Sequence, residues 1–242
     1  MQWTSEGLII GVRRHGESSV IAEVMAAGRG RTLGLIRGGR SSKLAATLQP
    51  GNTVQLTWRA RLEEHLGTMT VETINSRAAD LIEDRTRLYA CQLLCDHLRL
   101  LPERDPHDRL LGLAVEALDE GKDRLALGAE LARFELTLLD ELGFGLDLSA
   151  CAVTGQTSDL THVSPKTGRA VSREPATPYC DRLLRLPQFL ISDARADRRD
   201  VADAFRLTGH FLHMHVWDAR GIEPPTVREA LVEAVTTSSP PP

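Results

Sequence analysis

Aromatic side chains are scarce in this chain: Phe, Trp and Tyr make up 4% of 242 residues. Single-stranded nucleic acid is commonly held by stacking bases on aromatic rings, so any polyanion binding here is expected to rest mainly on phosphate contacts. Cysteine is also sparse. Cys91, Cys95, Cys151 and Cys180 are too few and too unevenly placed for a disulfide framework in a chain of this length, and reduced thiols are expected. No apolar run reaches the roughly 18 residues of a membrane span, and the opening Met-Gln-Trp-Thr-Ser-Glu lacks the basic-then-apolar order of a secretory signal. A soluble, cytoplasmic protein with no membrane partner is expected. The Gly38-Gly39 pair is not followed by the GK[ST] of a phosphate-cradling loop, which argues against nucleotide hydrolysis.

What is present is a charge asymmetry. Residues 11–61 carry nine basic side chains, Arg13, Arg14, Arg29, Arg31, Arg37, Arg40, Lys43, Arg59 and Arg61, against only Glu17 and Glu23, although the whole chain has a net charge of −4. Residues 81–242 are acidic, with 19 Lys/Arg against 26 Asp/Glu. Opposite signs in two regions point to two tasks, and the basic region to polyanion binding.

The first eighty residues read as short strands. Gly7–Val12, Ser19–Ala26, Thr32–Ile36, Thr53–Leu62 and Thr68–Ile74 are apolar or alternating runs separated by Gly, Ser, Asn and Pro turns. In the fourth, Val54, Leu56, Trp58, Ala60 and Leu62 alternate with Gln55, Thr57, Arg59 and Arg61, which places the arginines toward solvent and Trp58 in the core. Five short strands without a long helix suit a small closed barrel such as an OB-fold. The glycine-rich segment Gly38–Lys43 is a basic loop able to approach a nucleic-acid backbone closely.

Beyond it the period is helical. Leu88, Cys91, Leu94, Cys95 and Leu98, then Leu110, Leu113, Ala114, Ala117 and Leu118, then Leu127, Leu131, Phe134, Leu138 and Leu142 mark three successive helices, read as a bundle. The 144–178 segment loses this period. Helical signal returns at Ala202–Trp217 and at Thr226–Val235, where Thr226 and Glu229 have capping-box spacing. The expected fold is α+β: an N-terminal five-stranded OB-fold barrel (1–80), a mainly α-helical domain (81–235) with the irregular insert 144–178, and a disordered tail (236–242).

Competing chemistries find little support. His210, His213 and His215 do not share one helical face, and no His-Glu-x-x-His occurs. Cys91 and Cys95 share the apolar stripe of their helix and read as small core residues. Asp140-Glu141 and Glu63-Glu64 are adjacent acids rather than opposed ones, so no catalytic pair is expected and the protein is not read as an enzyme. An OB-fold RNA-binding regulator and a metal-dependent hydrolase using the His-rich helix are the alternatives.

Three segments carry a family resemblance. GLIIGVRRHGESSVIAEVMAAGRGRTLGLIRGGRSSK, with LQPG at Leu48–Gly51, resembles the opening of the RecO recombination-mediator family. FELTLLDELGF at Phe134–Phe144, followed by Cys151, resembles its central signature, and Ala204–Leu231 resembles its C-terminal end. The resemblance implies binding to single- and double-stranded DNA, strand annealing, and cooperation with RecR in placing RecA on strands coated by single-stranded DNA-binding protein, hence a nucleoid-associated location. It also implies that the helical domain receives the acidic tail of single-stranded DNA-binding protein, for which Arg133 and Arg228 are the candidate contacts. Many members hold zinc with two Cys-x-x-Cys pairs. Here Thr154 and the Val171–Pro175 segment replace three of the four ligands, and Cys180, His162 and Asp159 are weak substitutes for completing a site with Cys151. No cofactor is expected, and the insert is a degenerate zinc-finger-like element whose Pro165, Pro175 and Pro178 limit its unfolded freedom.

Overall fold

The computed structural model describes residues 1–62, 64–119 and 121–237, in two compact units, Met1–Glu120 and Gly121–Pro242. In the first, β1 (Gln2–His15), β2 (Ser19–Ala26), β3 (Gly30–Ile36), β4 (Thr53–Arg59) and β5 (Thr68–Asn75) close a barrel in the order β1-β2-β3-β5-β4. Each strand overlaps the run expected for it, but β1 starts five residues before the expected Gly7 and ends three after Val12. The alternation of β4 ends at Arg59, however, three residues short of the expected end at Leu62, which is 47% exposed.

β1 serves two partners, Gln2–Leu8 pairing with β4 and Gly7–His15 with β2. A register shift between Ile9 and Gly11 bends it between the two. The Ile10 carbonyl at this bulge accepts a hydrogen bond from the Arg99 guanidinium. Ile9, Val24, Ile36, Val54, Leu56, Trp58 and Met69 fill the barrel.

A short helix α1 (Ser42–Thr47) follows β3. Buried Asn52 ties it down: its amide donates to the Ala46 and Thr47 carbonyls, while its side-chain oxygen accepts from the Arg77 and Ala78 amides. Those amides open α2 (Ala78–Glu83), followed by α3 (Arg85–Leu98), capped by the Asp84 carboxylate, and α4 (Asp108–Leu118). All three belong to the barrel's unit. The compact division thus falls after α4 rather than at residue 80, and the three helices read as one bundle fall in different units.

In the second unit α5 (Arg124–Glu141) opens a long, irregular excursion before the chain returns to helix. Two strands of the insert, β6 (Leu160–Val163) and β7 (Ala170–Ser172), join β8 (Leu184–Arg185) beyond its end in a three-stranded sheet of order β7-β6-β8, and a short α6 (Arg173–Ala176) follows β7. Then come α7 (Arg198–Leu212), a π-helical turn (His213–Trp217), α8 (Asp218–Arg220) and α9 (Val227–Thr236). α5, α7 and α9 pack together, burying Leu127, Leu131, Phe134 and Leu138 from α5 and Phe205 and Phe211 from α7.

The expected capping box at Thr226 and Glu229 does not form, since Thr226 makes no side-chain cap bond. Asp197 and Asp200 form one instead, starting α7 ahead of the Ala202 expected from periodicity. Of the expected disordered tail, Thr236 ends α9, Thr237 follows, and 238–242 lie outside the described residues.

Candidate nucleic-acid interface

Register sorts the nine basic residues of the first unit. At the far end of β1, Arg13 and Arg14 pair with Ile21 and Val20, and Val20 pairs with Ile36, next to Arg37. The turn after β3 is fastened to the β1–β2 turn: the Arg40 amide donates to the Ser18 carbonyl at 3.2 Å, and its guanidinium to the Glu17 carbonyl. Lys43 follows in the first turn of α1. Arg13, Arg14, Arg37, Arg40 and Lys43 are all exposed, so one end of the barrel gathers five cations.

Arg29, Arg59 and Arg61 are exposed too, toward the other end of β1, where Arg59 pairs with Gln2. Arg31 belongs to neither group. Its guanidinium pairs with Glu23 at 2.5 Å and Glu103 at 3.7 Å and donates from Nε to the Leu101 carbonyl. Arg99 reaches the second Glu23 oxygen at 3.0 Å. The Arg31 charge is therefore balanced within the fold, unlike those of the exposed cations around it.

Near Arg29 lies an aromatic site that the sequence reading missed. Trp3 and Trp58, paired across β1 and β4, stack with ring centroids 5.6 Å apart and planes 19° apart. Trp58 is buried, its indole N–H shared between the Leu33 and Leu66 carbonyls, so it is a core residue. Trp3 is half-buried. The Arg29 guanidinium lies 5.4 Å from the Trp3 ring centre, and Arg104, from the segment after α3, lies 5.9 Å from that of Trp58. A cleft of about 150 Å³ is lined by these four residues with Gly28, Thr32 and Pro106.

The segment carrying Arg104 is held tightly. The Arg104 amide donates to the Arg31 carbonyl at 2.9 Å, and its guanidinium to that of His65 at 2.9 Å. Gly30, at φ +68°, permits the approach, since a Cβ there would collide with the Asp105 carbonyl. Arg104 itself adopts φ +63°, which costs a non-glycine residue free energy and singles out the position.

In the second unit the two candidate partner contacts are engaged internally. Arg133 donates from Nε and Nη2 to the Phe189 carbonyl and lies over the Phe189 ring. Arg228 grips buried Glu135 at 2.8 Å through both Nε and Nη2 and donates to the Phe205 carbonyl at 2.7 Å. Arg228 is a structural cation rather than a surface contact.

Cys151 is a buried free cysteine surrounded by hydrogen-bond donors. Its sulfur accepts from the Ser172 amide and hydroxyl and from the Val153 amide. Burial pushes this thiol up, but bonds from Ser172 and Thr154 bring it down to about 6. Hydrogen-bond donors thus occupy the space around the sulfur, and the hydroxyls among them are poor replacements for the thiolate and imidazole ligands of structural zinc. Cys180 is exposed, and the described residues contain no group of three metal-binding side chains. The three histidines diverge as well: His210 meets the Pro165 carbonyl, His213 lies 3.3 Å from Asp218, and His215 stacks on Phe144.

A second cavity, about 310 Å³, is lined in part by His162, Arg173, Arg185, Asp159 and Asp200. Asp159 pairs with Arg173, and Asp203 with Arg185, so its cations are largely balanced. Among the described residues no helix is long and apolar enough to cross a membrane.

Comparison with known proteins accounts for the chain almost end to end. The family described as Recombination protein O N terminal matches residues 1–77, and Recombination protein O C terminal matches 82–220. A DNA repair protein RecO of Sinorhizobium medicae is 52% identical over 97% of this chain and 94% of its own length. That of Mesorhizobium japonicum is 53% identical over 97% and 94%, and that of Brucella abortus 52% over 97% and 96%. With both family matches in order and such relatives spanning the barrel and the helices alike, this chain belongs to the RecO family of recombinational DNA repair proteins.

Proposed function

We propose that the protein binds single- and double-stranded DNA through its OB-type barrel, anneals complementary strands, and works with RecR to place RecA on strands coated by single-stranded DNA-binding protein. The observation that carries this reading is the gathering of Arg13, Arg14, Arg37, Arg40 and Lys43 at one end of the barrel. Annealing requires no bond-breaking residue. Two polyanions repel, and a surface that neutralises phosphates on both lowers that repulsion and raises their local concentration. Each neutralised phosphate releases condensed counterions, so affinity falls with salt at a log–log slope of roughly 0.7 per contact on single strands.

The acidic helical region is a poor surface for DNA and suits protein contact. The Nη1 edge of Arg133 is the remaining candidate there for the carboxylate of an acidic partner tail, because Arg228 is committed to Glu135.

The test is annealing of complementary oligonucleotides, bare and then coated with single-stranded DNA-binding protein, across a salt series. Wild type is expected to accelerate both reactions, and Arg37→Ala/Arg40→Ala/Lys43→Ala to shrink the single-strand salt slope by about 2. No acceleration under any salt, or a triple variant with an unchanged slope, would overturn the reading. Binding to RNA alone would favour the regulator alternative.

A further inference from the structure

The Trp3 cleft has features that a phosphate-binding surface does not need. Its floor is fixed, with Trp58 buried and its N–H satisfied by two carbonyls. Its half-buried ring, Trp3, stacks on Trp58 and carries over it the exposed guanidinium of Arg29 from the β2–β3 turn, and a second guanidinium arrives on a segment held in a costly backbone conformation. The volume, about 150 Å³, is well below the roughly 300–1,000 Å³ of pockets for larger ligands. It suits one heterocycle. Aromatic and guanidinium planes stack on any base face, and the same guanidinium edges bond phosphate oxygens.

We propose that this cleft takes one unpaired nucleotide, its base taking the place of the exposed Arg29 guanidinium over Trp3 and its phosphate met by the displaced Arg29 and by Arg104. This rests on the DNA-binding reading above and adds to it a basis for preferring single strands. A base inside a duplex is already stacked and paired, and entering the cleft would require flipping it out at a cost. The five-cation end of the barrel treats both DNA forms as polyanions; the cleft distinguishes them. Arg104, which lies outside the basic stretch 11–61, becomes a binding residue through it.

The experiment compares, at fixed salt, an oligothymidylate, an abasic strand of the same length and a duplex, on the full-length protein and on Trp3→Ala, Trp3→Phe and Arg104→Gln. Near-ultraviolet circular dichroism checks each fold. Wild type is expected to bind the abasic strand about tenfold more weakly than the thymidylate. Trp3→Ala should lose that difference while keeping its duplex affinity and salt slope, whereas Trp3→Phe should keep most of it. Arg104→Gln, which leaves both rings in place, should weaken thymidylate binding and spare the duplex. Equal wild-type affinity for the thymidylate and abasic strands, or a Trp3→Ala protein that retains the difference, overturns the cleft and leaves the polyanion reading standing. Failure to bind any of the three nucleic acids overturns both.

Discussion

Replacing Arg228 by Met should be among the most damaging single changes in the second unit. Glu135 is 0% exposed, and its carboxylate accepts two bonds from the Arg228 guanidinium and one from the Thr208 hydroxyl. Burial alone would push the Arg228 guanidinium down, but the Glu135 charge raises it above its ordinary value, so the guanidinium stays charged. Removing the arginine leaves a carboxylate without its counter-ion in a dry site, a loss of about 3–5 kcal/mol. For a unit of this size that is a fall in Tm on the order of 10–20 °C. Hydrogen exchange of peptides from α5 and α7 in the full-length protein would read the loss locally, free of the barrel's contribution. Adding Glu135→Leu to Arg228→Met should recover most of it, because an apolar pair of similar volume avoids the desolvation of both charges. Should Arg228→Met cost less than about 1 kcal/mol, or the double variant protect α5 and α7 no better than the single, the buried-pair reasoning fails.

Two further outcomes are expected. Arg31→Ala should lose about 1–3 kcal/mol, since it breaks a charge-assisted bond to Glu23 and one to the Leu101 carbonyl, yet leave the salt slope of single-strand binding unchanged. A slope lowered by roughly 0.7 would place Arg31 on the phosphate surface after all. His162 is held below its ordinary value of 6.5 by burial and then by the charges of Arg185 and Arg173. The unfolded chain therefore binds the extra proton first, and stability is lost as pH falls through 6.5 toward the folded value. Thermal melts from pH 7.5 to 5.5 should show a smaller decline for His162→Gln than for wild type, and parallel declines would refute the assignment.

Elements whose burial follows a period were legible in the sequence. Val54, Leu56 and Trp58 face inward as their alternation requires, and Leu127, Leu131, Phe134 and Leu138 line the buried face of α5. The roles of individual cations were not. Arg31 and Arg37 look alike in the sequence, and only the distant Glu103 and the cross-strand neighbour Glu23 separate them. Arg228 reads as a helix-surface charge until Glu135, on another helix, is found beneath it. The Trp3 cleft stayed hidden because its four key side chains, at 3, 29, 58 and 104, come from four separate segments of the first unit. One signal was available: Trp3 precedes Gly7 in register with Trp58, but the alternation of Gln2–Glu6 is too polar to announce a strand on its own.

The fastening of α2–α4 to the barrel bears on how such proteins can be recombined themselves. The Gly28 amide donates to the Asp108 carboxylate, Arg31 to the Leu101 carbonyl, and Arg77 to Asp119, Gly51 and Thr53. A chimera of two relatives joined between 77 and 82, where the family matches divide, would ask each parent's barrel to accept the other's helices at the Gly28–Asp108, Arg31–Leu101 and Arg77–Asp119 bonds. A crossover placed after Asp119 would carry them over as one inherited block, barrel and α2–α4 together.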